Sequence, residues 1–320
     1  GAILGARASY IAGCSATACT MADQHYGSPA TRTMAHSWVQ MFPDEYTAFK
    51  TYCQLYPHSA TLLVDTYNVL RSGVPNAIRA FKEVLEPLGV TKCGIRLDSG
   101  DLTYLSRKAR EMLDEAGLTG CKIVASNALD EYIIRDLVRQ GARIDSFGVG
   151  ERLITSRSEP VFGGVYKLVA VKCSDGSYQP KMKCSDSASK AIIPGKKMPW
   201  RLYDENGQAQ CDLIALDGEV IEAGKPVTMV NLDSDAIERT ITFTPTAVRQ
   251  LLVPHILGGQ LAMELPSIAE KKAYIAKQLT EETWESELRI EMPHKHYVNM
   301  TPAVAECRSK MYAELHGGKV

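Results

Sequence analysis

The sequence has little of what would set it apart from ordinary globular proteins. Acidic and basic residues nearly cancel, 37 against 36, for a formal net charge of −1. There is no basic surplus to neutralise the phosphates of a duplex or to hold an anionic membrane, so neither is an electrostatic partner. No apolar run approaches the roughly 18 residues needed to span a bilayer. Signal peptide, internal repeat and low-complexity tract are all lacking. So is an initiator Met: the chain opens at Gly1 inside GAILGARASYIAG, which already reads as helix, so a preceding N-terminal segment is expected. The nine cysteines include no C-x-x-C, and their number is odd. Cys93 in KCGIRL and Cys121 in GCKIVAS sit in apolar, strand-like settings. They read as buried reduced thiols of a cytoplasmic protein, not as a disulfide framework.

What is present suits an enzyme core. The 320 residues are 45% apolar and 23% charged, enough for one large domain or two modest ones. Helical spacing marks 1–11, 44–55 and 75–86, and helices closed by Gly117 and Gly141 follow LTYLSRKAREMLDEA and EYIIRDLVRQ. Between them lie four short apolar runs, TLLV, CGIRL, KIVA and IDSF. Continuous apolar runs alternating with helices predict a parallel sheet of βα units, an irregular TIM-like (β/α) barrel, over residues 1–165. Residues 166–245 read as a mostly β region, with a hairpin at Asn206-Gly207. Residues 246–320 read as strand–turn–strand at LLVPHILGGQL, one helix through SIAEKKAYIAKQLTEETWESELR and a second through AVAECRSKMYAELHG. The basic cluster Lys181–Lys197 reads as a loop.

The informative pattern is where polar residues fall. Each strand ends in them: Asp65-Thr66, Asp98-Ser99-Gly100-Asp101, Ser126-Asn127 and Gly148-Val149-Gly150. Parallel α/β folds place their sites at that edge. In FGVGERL, two glycines let backbone N–H groups approach a phosphate closely, although a plain tight turn would read the same way. In RLDSGD, Arg96 and Asp98 are two apart and share a strand face. The guanidinium can grip a planar carboxylate, and the carboxylates can take ribose hydroxyls or magnesium. An internal Arg–Asp pair, with Asp101 capping the next helix, is the plainer alternative. His36 in TMAHSWV and Asp65 in LLVDTY fit equally a core histidine and a strand-end acceptor. The residues alone indicate an α/β enzyme for a phosphorylated, hydroxyl-rich substrate.

Taken together, T-M-A-H-S-W, L-V-D-T-Y, G-I-R-L-D-S-G-D-L, A-S-N-x-L-D-E, F-G-V-G, G-G-V-Y-K-L-V and the closing M-P-H-K-H-Y-V resemble the nicotinate phosphoribosyltransferase family in order and spacing, from about Tyr10 to the C-terminus. The resemblance implies a type II phosphoribosyltransferase that couples ATP hydrolysis to formation of nicotinate mononucleotide and pyrophosphate from nicotinate and phosphoribosyl pyrophosphate, with Mg2+ as cofactor, in a cytoplasmic homodimer. It makes His36 the residue phosphorylated by ATP and Arg96 the holder of the nicotinate carboxylate. Asp98, Ser99 and Asp101 fall in the ribose and pyrophosphate region, Asp98 and Asp101 as candidate magnesium ligands. Ser126 and Asn127 fall at the third strand end, and Gly148 and Gly150 in the 5′-phosphate cradle. Thr33, Asp65, Gly100 and Glu151 lie in the same motifs and join the substrate- or phosphate-binding set. Two positions depart from the family pattern: Arg32 stands where most members have Gly, and Glu151 where many have Thr. Arg32 keeps open a non-catalytic phosphoribosyl-binding barrel, and a nicotinamide- or quinolinate-using relative is the other alternative.

Overall fold

A computed structural model describes residues 1–31, 33–161, 163–183, 192–232 and 239–315. It divides into two compact units, Gly1–Phe162 and Gly163–Val320. Arg32, one of the two departures, lies outside the described residues, as does part of the basic cluster at Lys181–Lys197.

The first unit opens with four helices, α1 (Ala2–Ala12), α2 (Thr20–Tyr26), α3 (His36–Gln40) and α4 (Glu45–Leu55). Then come β1 (Thr61–Leu63), α5 (Val74–Ala80), β2 (Gly94–Leu97), α6 (Leu102–Glu115), β3 (Lys122–Ala125), α7 (Glu131–Arg139), β4 (Ser146–Phe147) and α8 (Glu151–Ile154). The strands form one parallel sheet in sequence order, β1-β2-β3-β4, with Leu63, Arg96 and Val124 in register and Val124 beside Ser146. A closed TIM barrel is not formed among the described residues: the sheet is open, four strands wide. Leu62, Leu63, Ile95, Leu97 and Ile123 are fully buried with Phe49, Phe81, Leu85 and Leu113. Burial on both faces is why these strands read as unbroken apolar runs.

Local chemistry sets the helix ends. Asp44, Asp101 and Asp130 accept N-terminal backbone N–H groups of α4, α6 and α7. Gly117 and Gly141 close α6 and α7 with left-handed φ, as their sequences predict. The helix expected over 75–86 is realised as α5 and a wider π turn at Phe81–Leu85, with another π turn, Val69–Gly73, leading into it. At Gly73 a Cβ would stand 1.9 Å from the Val64 carbonyl oxygen, so only glycine lets this turn lie against the end of β1.

In the second unit, β5 (Ala170–Lys172) and β6 (Tyr178–Pro180) pair alone. There follow β7 (Lys197–Tyr203), β8 (Ala209–Leu216), β9 (Val227–Asn231), β10 (Thr240–Phe243), β11 (Ala247–Gln250), the hairpin β12 (Ile256–Leu257) and β13 (Gln260–Leu261), α9 (Ile268–Lys277), β14 (Val298–Met300) and α10 (Pro302–Leu315). The main sheet runs β10-β9-β14-β8-β7-β11, so residues on both sides of position 246 share it. The Asn206-Gly207 turn joins β7 to β8 as expected. The single helix expected through SIAEKKAYIAKQLTEETWESELR is broken. Past α9 and a π turn at Gln278–Glu282, Thr283 is extended and a short 3-10 turn follows at Glu285–Leu288. The break falls where Glu282 takes two bonds from Arg249, at 3.1 and 2.9 Å, and one from the Tyr203 hydroxyl at 3.0 Å. Tertiary contact outweighs helix propensity here. Among the described residues no helix is long and apolar enough to cross a membrane, and the eight described cysteines form no disulfide with one another.

Candidate active site

The ends of β1 and β2 meet at His36, and the end of β3 joins them through Ser126 and Asp98. His36 is the first residue of α3, a helix pinned by Trp38, whose indole N–H donates to the Ala48 carbonyl at 3.3 Å. His36 Nδ1 lies 3.1 Å from the Thr66 hydroxyl beyond β1. Its Nε2 faces two carboxylates, Asp98 Oδ2 at 3.7 Å and Asp65 Oδ1 at 3.9 Å. The Asp65 side chain is only 1% exposed. Its Oδ2 accepts the Asp98 backbone N–H at 3.0 Å and the Ser99 hydroxyl at 2.5 Å, whereas its buried Oδ1 has no hydrogen-bond partner. The imidazole thus stands between the Thr66 hydroxyl on one side and two carboxylates on the other.

Arg96 is fixed from three sides. Nε donates to Ser126 Oγ at 2.7 Å, Nη1 to Thr33 Oγ1 at 2.9 Å and Nη2 to Asp98 Oδ1 at 2.8 Å. The Ser126 hydroxyl donates in turn to the same Asp98 oxygen. Burial works to raise the Asp98 carboxyl, but hydrogen bonds from Ser126 and Arg96, with the charges of Arg96 and His36, outweigh it and hold the group below the usual carboxylate range. A guanidinium has five N–H groups. With three engaged, one remains on each terminal nitrogen, the number a carboxylate fork requires. The plainer alternative of an Arg96–Asp98 pair is therefore present, and it leaves Arg96 able to bind as well.

The other sequence candidates lie around this cluster. Gly100 has φ +79, and Asp101 uses Oδ1 to cap α6 through the Tyr104 N–H at 3.0 Å. Asn127 and its neighbour Ala128 both have positive φ, 91° and 35°, a costly pair for residues with side chains. Gly148 packs so closely that a Cβ would meet the Ser126 Cβ at 3.3 Å, while around Gly150 there is open space. Glu151 is exposed at the start of α8, which is only four residues long. For magnesium, the oxygens with free valence near His36 are Asp98 Oδ2 and Asp65 Oδ1. Among the described residues no group of three or more His, Cys, Asp or Glu could hold a metal. Two carboxylates plus phosphate and water ligands is nonetheless the usual magnesium arrangement, and these residues fit it.

Thr66 was visible in the sequence only as a polar strand-end residue, and its link to His36 spans 30 positions. Asp130 and Arg152 stand in the A-S-N-x-L-D-E and FGVGERL motifs, but nothing local announces that they pair across 22 positions.

Known proteins are similar to this chain. A nicotinate phosphoribosyltransferase from Bacillus subtilis is 40% identical over 98% of this chain, and one from Dictyostelium discoideum is 33% identical over 99%. The profile of the nicotinate phosphoribosyltransferase C-terminal domain matches residues 196–308. Over almost its whole length the chain is similar to members of the nicotinate phosphoribosyltransferase family. Among solved structures of the family, the human nicotinic acid phosphoribosyltransferase superposes with a TM-score of 0.74 at 25% identity, covering 96% of this chain and 67% of that one. The chain spans 62% and 60% of the lengths of the Bacillus and Dictyostelium relatives.

Proposed function

We propose that this chain carries the site at which nicotinate and phosphoribosyl pyrophosphate combine to nicotinate mononucleotide and pyrophosphate, with ATP hydrolysis coupled through a phosphorylated His36. The observation that carries this reading is Arg96, held by Thr33, Asp98 and Ser126 with two N–H groups left, in the same cluster as His36. Those N–H groups grip the carboxylate of nicotinate. Nicotinamide offers no charged pair of oxygens, so the site favours the acid. The pyridine nitrogen attacks C1′ of the ribose as the bond to pyrophosphate breaks, and the electron pair leaves with the pyrophosphate. Positioning and electrostatic stabilisation of the leaving group supply most of the acceleration.

The strand-end groups divide the substrate among them. The Gly148 N–H donates to the Ala125 carbonyl at 2.7 Å, so the backbone N–H groups of Val149 and Gly150 take the 5′-phosphate, and Ser99, Asn127, Asp98 and Asp101 line the ribose and pyrophosphate. Magnesium would be held by Asp98 with Asp65 or Asp101 and would neutralise the pyrophosphate charge. The His36 imidazole attacks the terminal phosphoryl group of ATP, and the electron pair of the broken bond leaves with ADP. We read the sequentially ordered sheet as an arc of a (β/α) barrel, and the working form as a homodimer.

Incubation with terminally labelled ATP tests the phosphoryl step. Acid-labile label is expected on the wild type and none on His36→Ala; label persisting on the variant rules His36 out. Turnover is expected with nicotinate and at least a hundredfold less with nicotinamide, on the order of the loss when a charged bidentate contact is missing. Preference for the amide overturns the reading.

A further inference from the structure

The fourth strand end is tied to the third by an ion pair that the chemistry above does not use. Asp130 caps α7 through Oδ1, accepting the Ile133 N–H at 2.9 Å, and its Oδ2 accepts from Arg152 Nη1 on α8. Both side chains are about four-fifths buried, at 19% and 21% exposure. Arg152 does not form the two-pronged bridge a guanidinium prefers. It uses one nitrogen, and its buried Nε has no hydrogen-bond partner. A pair that leaves a buried donor unpaired is a poor device for stability.

Its place explains it better. Asp130 is two residues beyond the strained Asn127-Ala128 turn, and Arg152 is two residues beyond Gly150. Between them the Gly148 backbone packs onto Ser126, the residue that also holds Arg96. On its far side α8 meets α1, where a Cβ on Gly5 would fall 2.4 Å from the tip of Ile154. The turn from 148 to 150 is thus clamped between elements and has little structure of its own: β4 is two residues long and α8 four.

We propose that Asp130 and Arg152 are a positioning pair, a latch that sets the Gly148–Gly150 turn at the height where the Val149 and Gly150 N–H groups meet the phosphate of the phosphoribosyl substrate. This rests on the reading of that turn as the phosphate cradle. The latch acts through the turn and touches no substrate. The Gly148 N–H stays bonded to the Ala125 carbonyl, but without the latch the turn beyond it is free to lift from the third strand end, and phosphate affinity falls while the nicotinate contacts at Arg96 are untouched.

Asp130→Ser and Arg152→Met test it, because serine keeps the helix cap and removes the carboxylate. KM for phosphoribosyl pyrophosphate is expected to rise about tenfold in each, a modest misplacement effect. KM for nicotinate stays within about twofold, Arg152→Lys recovers most of the loss, and the double variant is no worse than either single one. Amide exchange at residues 148–154 quickens while that of α7 does not. Unchanged exchange at 148–154 overturns the latch. Faster exchange with an unchanged KM for phosphoribosyl pyrophosphate overturns its link to the phosphate. A wild-type protein that uses no phosphoribosyl pyrophosphate overturns the functional reading itself, a result visible before any variant is made.

Discussion

Arg96 makes three bonds to protein before any substrate arrives, and those bonds fix which way its remaining donors point. Lysine cannot reproduce that, having one nitrogen in place of a fork. Arg96→Lys is expected to raise KM for nicotinate by about a hundredfold, the order of a lost charged hydrogen-bond pair. Thr33→Val removes a single support and is expected to raise it about tenfold with kcat little changed. Equal loss with nicotinate and nicotinamide would show that Arg96 reads no charge. The sequence made part of this cluster legible. Arg96 and Asp98 share a face by strand alternation, and Asp101 stands where a cap belongs. Thr33 and Thr66 reach their partners across 63 and 30 positions, and no local pattern announces such contacts.

Among the elements, the turn into α5 shows how far a backbone can be pressed. An alanine at Gly73 would drive its Cβ into the Val64 carbonyl, which is backbone and cannot swing aside. Gly73→Ala is expected to destabilise by at least ~2 kcal/mol, at the upper end for overpacking, lowering the melting temperature by roughly 4–8 °C. It should also disturb Asp65, the residue after Val64, so phosphorylation of His36 should fall with stability. A melting temperature within about 1 °C of wild type would mean the turn relaxes freely. Element types were largely readable, since apolar runs, aspartate caps and closing glycines agree with one another in the first unit. The helix expected through 267–289 was misread because Glu282 answers to Arg249 and Tyr203, partners 33 and 79 residues away. Such a bond overrides a helical pattern that is otherwise sound.

On the scale of the whole molecule, the second unit holds a charge cluster that makes stability depend on pH. His296 Nε2 is 3.4 Å from Asp212 Oδ2 and its Nδ1 3.1 Å from Glu287, while Arg201 grips Asp212 at 2.8 and 3.0 Å. The Asp212 contact raises the His296 pKa above 6.5, burial opposes it, and Glu287 adds to the rise. Burial works against the charge on Asp212, yet His296 and Arg201 bring it down to about 2. A raised histidine stabilises fully below its unfolded value of 6.5 and loses that contribution as pH climbs through its folded value. A lowered aspartate contributes above 3.8 and loses its part as pH falls toward about 2. Thermal unfolding of the full chain is therefore expected to be most resistant between about pH 4 and 6.5 and to weaken on the alkaline side. His296→Gln should flatten that decline, and a decline unaltered in this variant would assign it elsewhere. The TIM-like barrel expected from the sequence is an open four-stranded sheet among the described residues, and the sequence could not tell the two apart, because curvature depends on how strands twist and stagger, and apolar runs record neither.

The order of strands in the second unit has a consequence for how the chain is made. In the first unit each strand pairs with the one before it, so the sheet can grow as the polypeptide emerges. In the second, β14 lies between β8 and β9, parallel to one and antiparallel to the other. Until residue 300 has been synthesised, the sheet exists as two halves with β8 and β9 presenting bare hydrogen-bonding edges. That interval is when a nascent chain is most open to pairing with the wrong strand, and a short run, Val298-Asn299-Met300, brings it to an end.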